Sequence, residues 1–246
     1  MDKYVRKLQL TELDILKEVD RICKKNNIDY TLYGGSLLGA IRHKGFIPWD
    51  DDIDVAMTRK NYNKFIKACK DDLDDKFFLD CYETNKKYAL FYGKVKLKNT
   101  LFVEKKNYDN YDETSSIWVD IFPLDAVTGR MDKNQKRIYK IYGYITTLIT
   151  IKNGSNYYQN SKIKKKIYGF ILKLVPFRFM VWFLYKVVCK YDEDKVSYVC
   201  SFPSAYGLAK ETYEIEKLLP YKKVKFEDNE YMILSGYDYI LSRMYG

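Results

Sequence analysis

Four aspartates fall within five consecutive positions, Asp50, Asp51, Asp52 and Asp54, in a 246-residue chain whose net charge is +10. Like charges this close repel one another, unless a cation shares them. Asp52 and Asp54 are two residues apart in "DIDVAM", a run that alternates acid and apolar residues as a half-buried strand does. Their carboxylates then point to one face and can hold a hard cation between them, with coordination positions left for water and phosphate. Asp120, flanked by Val119 and Ile121 in another strand-like run, supplies a third carboxylate if the two strands are neighbours. Three carboxylates around Mg²⁺ or Mn²⁺ suit phosphoryl transfer, in which the metal neutralises charge and one carboxylate takes a proton from the nucleophile. The plain alternative is an acidic loop on a solvated surface. Asp51 either assists the metal or braces the loop, and Asp50 reads as a loop residue.

Upstream of the aspartates lies a Gly34-Gly35-Ser36 turn, with Asp52 sixteen residues beyond Ser36. Glycines at a helix start expose backbone N–H groups to an anion and let a phosphate approach the main chain, so the turn is a candidate phosphate cradle. Each element alone is a weak signal. Glycine turn, Asp-x-Asp and isolated strand aspartate, in that order, are far more specific. A glycosyltransferase that holds a nucleotide-sugar metal on its Asp-x-Asp is the competing enzyme reading, which the nearby glycine turn disfavours. A dehalogenase-type phosphatase needs a threonine where this chain has Ala56.

The elements that must position these groups follow from periodicity. "LTELDILKEVDRICKKNN" repeats Leu10, Leu13, Leu16, Val19 and Ile22 at three-residue steps, which predicts an amphipathic helix with Thr11 and Asp14 as a capping pair. A short strand "IDYTLYGG", a helix from "SLLGAIRHKG", the "DIDVAM" strand and a helix from "KNYNKFIKACKDDL" come next. "FFLDCYE", "YALFYGKVKLKN" and "TLFVEKK" read as strands, and "SSIWVDIFPLD" as an apolar strand stopped by Pro123 with Asp125 turning the chain. Tyr33 and Trp49 read as packing residues. The mixture predicts an α+β fold with flanking helices, and "KKVKFEDNEYMIL" and "YDYILSRMYG" close the chain as a strand-rich stretch and a helix.

Charge divides the chain. Residues 131–190 hold thirteen Lys or Arg and one acid, Asp132, so any attraction to an anionic surface belongs to that stretch. We expect a catalytic core over 1–130, a basic aromatic helical insertion over 131–195 and a C-terminal segment over 196–246 that packs back on the core. The apolar stretch Ile167 to Tyr191 is interrupted by Lys173, Arg178, Lys186 and Lys190 and broken by Pro176, which disfavours a spanning helix. Two readings remain open for it. One is an interfacial helix pair with lysines on anionic headgroups and Phe170, Ile171, Phe179, Trp182 and Phe183 at the acyl boundary; the other is a buried helical subdomain with a solvated basic edge. A purely basic binding module would leave the aspartates unexplained, and no RNA-binding signature accompanies the charge, so no nucleic-acid partner is expected. Five cysteines without C-x-x-C spacing point to free structural thiols. No apolar leader pattern is found near Met1, so the expected location is cytoplasmic, peripheral on the inner face of the cell membrane.

"GGSLLGAIRHKGFIPWDDDIDVAM" and the later "VDIFPLD" closely resemble the LicD family, a branch of the nucleotidyltransferase-fold superfamily that includes bacterial phosphocholine transferases and the fukutin-related proteins. "YGKVKLKNTLFVE" resembles it loosely, at Lys94 and Thr100, and "YDYILSRMYG" resembles the start of a family C-terminal motif. The resemblance implies a nucleotidyltransferase-like mixed sheet core and a transferase that moves the phospho-alcohol of a CDP-activated donor, typically CDP-choline, onto a sugar hydroxyl of a lipid-linked glycan or teichoic acid precursor. CMP leaves. It implies Gly34, Gly35 and Ser36 at the phosphates, Asp52 and Asp54 as ligands of Mg²⁺ or Mn²⁺, and Asp120 as third carboxylate and base. Lys94 is then a phosphate contact or a solvated lysine, and Arg42 and His43, the sole histidine, are substrate contacts or structural loop residues.

Overall fold

The computed structural model describes residues 2–85, 88, 90–103, 115–152, 175–203 and 206–246. Its centre is a mixed sheet in the order β1 (Thr31–Leu32), β2 (Asp54–Thr58), β5 (Trp118–Val127), β4 (Gly93–Leu97) and β3 (Phe77–Asp80). β2 and β5 run parallel, and the other pairings are antiparallel. Strand alternation sorts the side chains. Val55, Val95, Val119 and Ile121 are fully buried, while Asp54, Lys94, Trp118 and Asp120, at positions of opposite parity, share the other face.

α1 (Lys3–Lys25) buries Leu13, Leu16, Val19 and Ile22 in the main core, as the three-residue steps predict. Its start differs from expectation. Asp2 caps the helix by accepting from the Tyr4 N–H at 2.7 Å, whereas Thr11 lies mid-helix and donates its hydroxyl to the Lys7 carbonyl at 3.0 Å. Leu10, at the head of the apolar stripe, is exposed. α2 (Gly34–Arg42) and α3 (Arg59–Asp72) follow β1 and β2 as the sequence predicts.

Pro123 does not stop β5. On one edge β4 pairs only as far as Ile121, and on the same edge β6 (Tyr198–Cys200) begins at Asp125. The missing N–H of Pro123 falls at this handover, where no ladder bond is required. β6 pairs in turn with β7 (Thr212–Glu214). Asp125 is therefore a fully buried strand residue and not a turn; it accepts from Arg59 Nε at 2.7 Å and Nη2 at 3.0 Å.

α4 (Lys133–Lys152) and α5 (Phe177–Val188) enclose a second cluster containing Ile138, Ile149, Met180, Val181, Leu184 and Val188, which meets Val127 and Phe91. Phe179, Trp182 and Phe183 on α5 remain 53%, 52% and 37% exposed. Phe170 and Ile171 lie outside the described residues, as does part of the expected strand "TLFVEKK"; Leu101–Val103 are described and are not in a strand. Among the described residues no helix is long and apolar enough to cross a membrane. The C-terminal segment continues through α6 (Ile215–Leu218), the hairpin of β8 (Tyr221–Phe226) and β9 (Asn229–Leu234), and α7 (Tyr237–Tyr245). The hairpin docks on the first strand, with the Leu234 N–H donating to Thr31 Oγ1 at 3.1 Å. All five cysteines are free, and burial pushes every thiol above its ordinary range.

Candidate active site

The parallel pairing sets Asp54 beside Asp120, and on the far side of Asp120 the antiparallel pairing sets Lys94. Three adjacent strands thus present acid, acid and base in a row. Lys94 Nζ lies 2.5 Å from Asp120 Oδ1, with both side chains mostly buried. Asp52 sits in the loop before β2 and not in the strand itself; the pairing extends one residue past the strand through the Asp120 N–H donating to the Ile53 carbonyl at 2.9 Å. Asp52 and Asp120 line one cavity. Among the described residues, oxygens of Asp50, Asp51 and Asp52 come within 4.8 Å of one another, and this acidic group overlaps the expected ligand trio at Asp52.

Burial, followed by the fields of Asp50, Asp120 and Asp51, pushes the Asp52 carboxyl up to about 6. The Asp54 carboxyl is driven well above the usual range by deeper burial and then by Asp52. Asp50 is raised by burial and by Asp51. A site of oxygen donors whose negative charge is this poorly solvated fits a hard divalent cation, for which Asp52, Asp54 and Asp120 could serve as ligands.

The glycine turn stands against these acids. Gly34 has φ +52°, and a Cβ there would lie 2.7 Å from Asp54 Oδ2. A Cβ on Gly35 would strike the Asp50 carboxylate. Both glycines therefore allow carboxylates close to the helix start, a requirement that the phosphate reading had not contained. Ser36 is buried, and its Oγ accepts from the Asp54 N–H at 2.9 Å, which ties turn to strand. Tyr33, the residue before the turn, is buried as expected, with its hydroxyl bonded to Glu211 and to the Tyr213 hydroxyl. Arg42 and His43 are exposed at the C-terminal end of α2, about 12 Å along the helix from the turn. The structure does not bring them beside the turn.

Two residues of α1 join the site without having been expected there. Gln9 is fully buried and donates to the Asp50 carbonyl at 2.8 Å and the Ile47 carbonyl at 3.3 Å, fixing the aspartate loop. Glu12, one turn on, is 3% exposed, and its Oε2 is buried with no hydrogen-bond partner among the described residues. Burial, then the charges of Asp52, Asp51, Asp120 and Asp50, push its carboxyl up to about 10. A signal was available, since the spacing puts Gln9 and Glu12 on the same face of α1 as Leu13 and Leu16. Trp49 is the opposite case: expected to pack, it is 77% exposed beside the aspartates.

Residues 27–181, which contain the glycine turn, all the aspartates of the site and β1 to β5, match the model of a nucleotidyltransferase-domain family. That family is described as LicD/FKTN/FKRP, and the chain belongs to it as a LicD-type enzyme. Over nearly its whole length the chain is similar to the lipopolysaccharide cholinephosphotransferase LicD of Haemophilus influenzae, with 27% identity across 98% of this chain and 90% of that protein. Shorter matches at 40% identity join it to uncharacterised proteins of Rickettsia prowazekii (22% of this chain, 21% of that protein) and Rickettsia typhi (24% and 21%).

Proposed function

We propose that the chain transfers phosphocholine from CDP-choline to a sugar hydroxyl of a cell-surface glycan or teichoic acid precursor, with Mg²⁺ or Mn²⁺ as cofactor and CMP as leaving group. The observation that carries the reading is Asp54 beside Asp120 in the sheet register, with Asp52 lining one cavity with Asp120 and Gly34 close against Asp54, in a chain similar from end to end to a cholinephosphotransferase.

Asp52, Asp54 and Asp120 would hold the divalent metal, which when bound would neutralise charge on the diphosphate of the donor. The backbone N–H groups of Gly35 and Ser36 steady a phosphate at the start of α2, where the peptide dipoles favour negative charge. Asp120 accepts the proton of the attacking sugar hydroxyl, and Lys94, paired with it at 2.5 Å, steadies the charge of the carboxylate until that proton arrives. Gln9 holds the Asp50 backbone, so the loop keeps Asp52 facing the cavity. The acceptor is lipid-linked, and the exposed Phe179, Trp182 and Phe183, flanked by Arg178 and Lys186, suit an anionic membrane surface on the cytoplasmic side.

The test is CMP release from CDP-choline, CDP-ethanolamine, CDP-glycerol and CDP-ribitol with Mg²⁺ or Mn²⁺ and a membrane-extracted glycan acceptor, comparing wild type with Asp52→Ala. Metal-dependent release from CDP-choline, lost in a folded Asp52→Ala protein, is the expected result. Turnover of a nucleotide-sugar and of no CDP-alcohol would transfer the Asp-x-Asp site to glycosyl transfer.

A further inference from the structure

The sheet face that carries Asp120 opens into a cavity of about 370 Å³, lined by Asp52 and Asp120 and by Leu90, Tyr92, Phe102 and Trp118. The rings are held in place. Phe102 and Trp118 lie 5.2 Å apart at 56°, and Tyr92 stacks on Phe122 at 4.6 Å. One ammonium group already sits among them: Lys94 Nζ is 4.0 Å from the centre of the Trp118 ring and 5.4 Å from that of Tyr92, with Asp120 Oδ1 at 2.5 Å. These walls therefore have the makeup of a cation site, π faces backed by a carboxylate. Among the described lining residues the basic ones, Lys94 and Lys96, are paired with Asp120 and, at 2.6 Å, with Asp80. The Asp52 carboxylate lines the same cavity.

We propose that this cavity is the specificity pocket for the alcohol of the donor, and that Trp118, Tyr92 and Phe102 cage a quaternary ammonium head beside Asp52. The inference rests on the phosphocholine-transfer reading and deepens it. A trimethylammonium group donates no hydrogen bonds and presents methyl groups all round, so aromatic faces and a nearby carboxylate satisfy it fully. A polyol in the same space leaves hydroxyls against apolar walls, at the cost of unmade hydrogen bonds. The cavity adjoins Asp52 and Asp120, which places the head next to the phosphate that is transferred.

The experiment measures kcat/KM for CDP-choline and CDP-glycerol, and calorimetric binding of phosphocholine in the presence of Mg²⁺, for wild type, Trp118→Phe and Trp118→Leu. Leucine keeps apolar bulk without a π face. Trp118→Leu is expected to lower the preference for CDP-choline about tenfold, equivalent to about 1.4 kcal/mol, and to weaken phosphocholine binding by a similar factor, while Trp118→Phe keeps most of both. Equal loss on both donors would mean that the ring packs the cytidine, and would overturn the cage; so would an unchanged preference. Wild type that binds phosphocholine through Trp118 yet releases no CMP from any CDP-alcohol would sink the donor reading and leave the cage standing. Folded wild type that binds no phosphocholine overturns the cage.

Discussion

Replacing Glu12 with Gln is expected to stabilise the protein, and to do so more as the pH rises. Glu12 is 3% exposed, its Oε2 lacks a partner among the described residues, and its carboxyl is pushed from an ordinary 4.5 up to about 10 by burial and then by the surrounding aspartates. The sign follows from proton linkage: the folded chain holds this proton more tightly than the unfolded chain, so its stabilising effect is complete below about pH 4.5 and is lost progressively as pH rises towards about 10. Between pH 4.5 and 7, at about 1.4 kcal/mol per pH unit, the folded state gives up roughly 3–4 kcal/mol that a glutamine does not. For a chain of this size that corresponds to roughly 7–14 °C in Tm. Thermal unfolding followed by circular dichroism from pH 4.5 to 9, without divalent metal, measures it. The two Tm curves should meet near pH 4.5 and separate steadily above it; parallel curves would refute the burial argument.

Other consequences are as direct. Asp125→Ala removes the partner of the buried Arg59 guanidinium, whose Nη1 already lacks one among the described residues, and should cost about 3–5 kcal/mol in urea unfolding, with Arg59→Met/Asp125→Leu recovering most of it. Gly34→Ala puts a side chain at φ +52° and 2.7 Å from Asp54 Oδ2; about 1–2 kcal/mol of stability should be lost, and CMP release should fall more than the stability loss explains, because Asp54 must move. Sedimentation with anionic vesicles should be abolished by Phe179→Ser/Trp182→Ser and weakened by salt, and vesicles of phosphatidylcholine alone should not bind; equal sedimentation of the variant would remove α5 from the membrane.

The parts of the site that depend on chain-local pattern were legible in the sequence. Alternation around Asp54 and Asp120 identified their strands, and the glycine turn announced the helix start. Register was not legible, because alternation says which face a residue takes but not which residue lies opposite it; only the assembled sheet sets Lys94 against Asp120. Pro123 misled for a related reason, since a proline ends a strand only where its N–H is needed, and here two neighbouring strands change over at that residue. Glu12 escaped because it sits 38 residues before Asp50 on a helix that reads as scaffold. Trp49 was misjudged because hydrophobic type predicts burial only on average.

β5 belongs to two neighbourhoods at once. Its first half carries Trp118 and Asp120, and its second half carries Asp125, bound to Arg59 and within 3.6 Å of the Cys189 Sγ at the end of α5. The step from Asp120 to Asp125 is five residues of extended strand, about 17 Å, with no loop to adjust it. The strand is thus a ruler: on the proposed reading, a bilayer under α5 would meet the active site at a spacing that β5 holds constant. Acceptors would then be chosen by the reach of their linker above the lipid as well as by the identity of the sugar.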